Sequence, residues 1–142
     1  MGTPSLNYSQ VIDGILELDK VIICAAIAKL VDGKIIASKY REDGSMLSLT
    51  REESELSVIQ SLIRMSMRRS LEYKLGRTIY SSTVYENVTR ASMYVFNHER
   101  KEDDEDLILM VSFDKNADHE RIINSMILPF LKQKCKPIST TC

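Results

Sequence analysis

Hydrophobic and polar positions along this chain fall into segments of two kinds of period. Between Tyr8 and Leu18, the residues Tyr8, Val11, Ile12, Ile15 and Leu18 recur at helical spacing and leave Gln10, Asp13 and Glu17 outside. That spacing predicts a short amphipathic helix, weakened by Gly14. Val21 to Ala28 is apolar on both parities, the pattern of a strand covered on both faces. An Asp32-Gly33 turn then leads into Ile35–Tyr40, so the two strands are expected to form an antiparallel hairpin. Residues 41–49 read as a loop. At Thr50-Arg-Glu-Glu53 the hydroxyl and the carboxylate three residues later form a capping box, opening a long helix that stops at Gly76.

Thr78–Tyr85 and Arg90–Phe96 are rich in β-branched and aromatic residues and flank a turn at Glu86–Thr89, which predicts a second hairpin. After the charged connection His98–Asp106, Leu107–Phe113 is again apolar on both parities. Asp114 or Asn116 is placed to cap a last helix bearing Ile122, Ile123, Met126, Ile127 and Phe130, which Pro129 is expected to bend or end. The order is α-β-β-α-β-β-β-α. Two apolar strands need cover on both sides, which predicts a three-layer α/β/α sandwich around a five-stranded antiparallel sheet with those two strands as neighbours. One domain over 8–134 is expected, with flexible ends at 1–7 and 135–142.

The second helix carries more apolar surface than one sheet requires. Leu56, Ile59, Ile63, Met67 and Leu71 form one stripe, assigned here to the sheet. Val58, Leu62 and Met65 lie on a further arc, and together the two sets span roughly 240° where about 100° suffices. The second arc is therefore the expected seam of a two-fold dimer, with Arg69 inside it and able to pair with Glu72 or a partner's carboxylate. A loop bearing Met46, Leu47 and Leu49, folded over the arc, is the alternative cover.

Composition narrows the function classes. The 142 residues are 44% hydrophobic and 27% charged, ordinary for a globular domain. Nineteen basic against twenty acidic residues give a formal charge of −1, which favours neither nucleic acid nor a membrane surface. Three unspaced cysteines, no leader-like segment and no apolar run long enough to span a bilayer point to the cytoplasm.

Candidate chemistry is sparse. Arg64 and Arg68, four apart on one helix face, suit a phosphate or an acidic partner surface, although a solvated face with Glu72 nearby is the simpler account of them. The run His98–Asp106 gathers oxygen ligands but lacks the spacing of a calcium loop. His119 has no activated nucleophile among the candidates: Cys24 sits in an apolar run that raises its pKa, and Ser81, Ser82 and Thr83 alternate across a strand. No cofactor and no catalytic function are expected.

The element order, the Val31-Asp-Gly-Lys-Ile-Ile-Ala-Ser38 hairpin after a buried strand and the long second helix resemble the roadblock/dynein-light-chain family, within the profilin-like and longin-like group, over roughly residues 8–131. Glu52–Gln60, Leu75–Tyr80 and the Ser112–His119 segment are similar to short archaeal proteins of that fold. The resemblance implies a non-catalytic homodimer with paired second helices, serving as a platform for a small GTPase or a signalling assembly. The alternative reading is a sensor of profilin-like or PAS-like type, with a small ligand in a pocket lined by Met46, Met93 and Tyr94.

Overall fold

The computed structural model describes residues 7–41, 49–95 and 107–134. Helix α1 (Tyr8–Leu18) starts where the Asn7 side chain accepts the Gln10 amide at 3.2 Å. Its C-terminal carbonyls are met from a distance in sequence: the Arg41 guanidinium donates to the carbonyls of Leu16 and, at 3.1 Å, Asp19. Strands β1 (Ile22–Lys29) and β2 (Ile35–Tyr40) form the expected hairpin. Gly33 takes φ +75° in its turn, and Asp32 accepts the Lys34 amide at 2.9 Å. That φ favours glycine, which has no Cβ to clash.

Helix α2 (Arg51–Arg68) opens with the predicted box: the Thr50 hydroxyl accepts from the Glu53 amide at 3.1 Å, and the Glu53 carboxylate accepts from the Thr50 amide at 2.9 Å. The helix is not continuous to Gly76. A 3-10 turn over Arg69–Leu71 separates it from a last turn, α3 (Glu72–Leu75), and Gly76 then reverses the chain with φ +85°. Strands β3 (Tyr80–Val84), β4 (Val88–Val95) and β5 (Leu107–Asp114) complete one antiparallel sheet in the order β2-β1-β5-β4-β3. The two apolar strands, β1 and β5, are neighbours near its centre; β5 is buried from Leu107 to Phe113, whereas β1 alternates between buried and half-buried residues.

The last helix departs from expectation at both ends. Asp118, not Asp114 or Asn116, caps it, because Asp114 is still paired in β5, opposite Val88, and its carbonyl then closes the following turn on Ala117. Pro129 neither ends nor sharply breaks the helix. Between α4 (His119–Ile122) and α5 (Leu128–Lys134) the chain widens into a π-helix over Ile123–Ile127, with the Leu128 amide reaching Ile123. A wide turn relieves the carbonyl that a proline ring would crowd and could not hydrogen-bond.

Helices cover both faces of the sheet. On one, α1 and the α4–α5 segment bury Ile12, Ile15, Ile123 and Ile127 against Ala25, Ile27, Leu109, Val111 and Phe113. On the other, α2 sets Val58, Leu62 and Met65 over Ala28, Tyr94, Ile108 and Met110, a much smaller cluster. Among the described residues no helix is long and apolar enough to cross a membrane.

Gly14 has a packing reason for its place in α1. A Cβ there would lie 2.4 Å from Cζ of Phe130 on α5. Alanine normally gains about 1 kcal/mol over glycine within a helix. Gly14→Ala is nonetheless expected to lower stability in the native chain and to raise it in a Phe130→Ala background, a change of sign that a denaturation double-mutant cycle reads directly.

Candidate functional site

The two apolar arcs of α2 lie opposite to their expected assignment. Val58 and Met65 are 4% and 1% exposed against the sheet, and Leu62 is half-buried beside them. Leu56, Ile59, Ile63, Met67 and Leu71 are 50–70% exposed, the last four on the side away from the sheet and Leu56 at the rim of the space beneath the helix. Val58, Leu62 and Met65 are therefore core residues with little or no surface left for a partner. The reason lies in the sheet surface beneath them. Ala26 and Ala28 are small, and the β1–β2 turn packs so close that a Cβ on Gly33 would meet Leu62 at 3.1 Å and Val58 at 3.5 Å. The buried Ser57 and Ser61 accompany Val58 and Met65 on this face, and Ser61 shares a 3.4 Å hydrogen bond with the Ser92 hydroxyl of β4. Small and hydroxyl side chains let the helix sit low, where the bulkier outer stripe would hold it off.

Arg69 is also displaced from the expected seam. Its guanidinium lies 5.9 Å from the centre of the Tyr94 ring, which Arg77 covers at 5.5 Å, a cation–π arrangement at the sheet-facing side of the α2 terminus. Arg64 and Arg68 part company: Arg68 is exposed, whereas Arg64 is half-buried and lines a slot between α2 and the sheet. Exposed apolar residues continue past α2 at Tyr73, Leu75 and Ile79 and along the edge strand β3 at Val84.

The slot has a volume of about 20 Å³, room for one water, and is walled by Ser61, Arg64, Ser81, Thr83, Arg90 and Ser92. It adjoins a larger cavity of about 470 Å³ under the N-terminal half of α2. Arg90, Ser57, Gln60 and Tyr85 belong to both, and Ile23, Tyr40, Leu56 and Val88 supply much of the cavity's apolar wall. Among the described residues neither Arg64 nor Arg90 makes an ion pair or a hydrogen bond. Nearby, the Cys24 thiol donates to the Ser112 hydroxyl at 3.7 Å. Burial pushes its pKa up, and the Ser112 hydrogen bond and the charge of Arg90 only partly oppose that shift. Cys24 is thus a weak nucleophile held in the packing.

The pocket expected around Met93 and Tyr94 does not form, because neighbours along β4 point to opposite faces: Met93 enters the α1 side and Tyr94 the α2 side. Met46 and the His98–Asp106 run lie outside the described residues. His119 sits 6.2 Å from the Phe113 ring, on the face of the sheet away from Cys24. Arg90 escaped the sequence reading altogether. Its signal was there: Arg90 and Ser92 share one parity of β4, and Ser81 and Thr83 one parity of β3, a hydroxyl-rich surface beneath a helix.

No model of a known protein family matches the sequence, and no curated protein matches it. Solved structures do. A roadblock/LC7 domain from Streptomyces avermitilis superposes with a TM-score of 0.62 at 12% identity, covering 88% of this chain and 92% of that one. The gliding protein MglB from Thermus thermophilus gives 0.63 at 13% identity over 95% and 98% of the two chains. An MglB structure with a tetrameric arrangement gives 0.63 at 14% identity over the same shares. This chain has the roadblock/LC7 fold.

Proposed function

We propose that this protein is a non-catalytic regulatory module that works as a homodimer, with the outer stripe of α2 as its seam and a small GTPase or signalling protein as the partner it docks. The observation that carries the reading is the exposure of Leu56, Ile59, Ile63 and Met67 along the capped helix α2 and of Leu71 in the 3-10 turn that follows it. A contiguous apolar surface of this kind is the usual mark of a protein interface. Half-exposed side chains of this size gain roughly 1 kcal/mol each on burial, so ten of them across a two-fold axis give on the order of 10 kcal/mol. Association costs about 4–15 kcal/mol, so at the low end of that cost about 6 kcal/mol remains, a dimer that forms at tens of micromolar and above. The fold shared with an MglB of tetrameric arrangement agrees with self-association. Arg68, exposed beside the seam, together with the half-buried Arg64, offers the cationic contact for an acidic partner surface.

Light scattering over a concentration series tests this reading. A mass that rises to twice 16.2 kDa is the expected result, and a monomer at every concentration overturns it.

A further inference from the structure

The layer between α2 and the sheet contains a feature that docking does not use. A helix–sheet contact is ordinarily apolar, yet half of this one is lined by Ser57, Ser61, Ser92 and Ser112, with the guanidinium of Arg90 among them. Arg90 rises from β4 between Thr83 and Ser112 on the neighbouring strands, half-buried, with no ion pair or hydrogen bond among the described residues. Arg64 borders the same slot from the helix side. Two guanidinium groups at one hydroxyl-lined opening make no ion pair among the described residues, so their donors are open to an incoming anion.

The cavity beside them narrows the anion's chemistry. Its volume of about 470 Å³ falls in the range of small-molecule sites, roughly 300–1,000 Å³. Ile23, Tyr40, Leu56 and Val88 give it an apolar wall, so an occupant needs an apolar body as well as a charged head. Glu53 and Glu86 also lie on the lining, and their negative charge disfavours a multiply charged phosphate there.

From this we propose that the cavity under α2 binds a small organic monocarboxylate, its carboxylate held by Arg90 with the Ser57 and Ser112 hydroxyls at hand and its hydrocarbon or aromatic body against Tyr40, Leu56 and Val88. A carboxylate accepts two parallel N–H donors from a guanidinium, and the serine hydroxyls can donate to its remaining lone pairs. The proposal goes beyond the docking reading and does not rest on it: Leu56 and Arg64 border both surfaces, but the carboxylate sits on Arg90, which the seam does not use.

Titration of the full chain by two-dimensional amide NMR separates the outcomes. Phenylacetate and hexanoate are the probes, phenylacetamide the uncharged control and inorganic phosphate the competing anion. Saturable shifts at Ile23, Tyr40, Ser57 and Val88 are expected for a carboxylate, at least about tenfold weaker for the amide and for Arg90→Gln, with Arg90→Lys between. The amide control is read on the native chain, so it decides the matter even if a variant folds poorly. Equal affinity for amide and carboxylate, phosphate binding tighter than both carboxylates, or no saturable shift at these residues overturns the proposal. The oligomeric state, read separately by light scattering, bears on the docking reading alone.

Discussion

Met65→Glu is expected to unfold the chain. Met65 is 1% exposed and belongs to the small cluster with Val58, Tyr94, Ile108 and Met110 that holds α2 to the sheet. Losing a buried methionine costs about 2–5 kcal/mol, and a carboxylate in its place must lose its hydration or take up a proton, at a cost of several more. A domain of this size has about 5–15 kcal/mol in total, so the substitution removes most or all of it. Urea denaturation followed by circular dichroism would show no folded baseline, or a midpoint near zero denaturant. A variant with the native midpoint would mean that this face of α2 does not carry the packing.

Ile63→Glu, two residues earlier on the same helix, is expected to do the opposite. Ile63 is 53% exposed on the outer stripe, where a single surface substitution normally changes the stability of the isolated chain by about 0.5 kcal/mol or less. In a two-fold seam the same change places two carboxylates in an apolar contact, once from each protomer, and costs several kcal/mol. Association should weaken by a factor of 100 or more, on the order of 3 kcal/mol at 1.4 kcal/mol per decade. Sedimentation at a concentration where the native protein is dimeric would return the monomer mass with an unchanged thermal midpoint below that concentration. A native dimer mass for Ile63→Glu would remove the outer stripe from the interface.

These two outcomes differ because α2 is apolar on opposite sides, and that is also where reading the sequence went astray. Helical periodicity says which residues share a face; it does not say which face meets the sheet. By size and number, Leu56, Ile59, Ile63, Met67 and Leu71 are the better core stripe. They lose to Ser57, Val58, Ser61, Leu62 and Met65 because the sheet offers Ala26, Ala28 and serine hydroxyls at that place, and the β1–β2 turn at Gly33 closes in on Leu62. None of these partners is near α2 in the chain. Arg90 was overlooked for a related reason: an arginine within an apolar strand becomes a site only when Ser57 and Arg64 of α2 and Ser112 of β5 come to lie around it.

Many local interactions were legible, although the Asp118 cap of the last helix and the 3-10 turn at Arg69–Leu71 were not. The Asp32-Gly33 turn, the Thr50–Glu53 capping box and the reversal at Gly76 join residues within a few positions of one another, and each stands in the structure where the sequence placed it. The central position of β1 and β5 could be read as well, because a strand apolar on both parities is stable only where both faces are dry. Sequence by itself thus determined the elements, their order and the roadblock-type layering, all set by short-range hydrogen bonds and by the period of the side chains. Only the tertiary structure decided which side of α2 is core and which is surface, how the last helix passes Pro129, and that a charged, hydroxyl-lined cavity lies beneath α2. The hydrophobic effect has no direction, so a helix with two apolar faces is oriented by the fit of surfaces whose residues meet only in the folded chain.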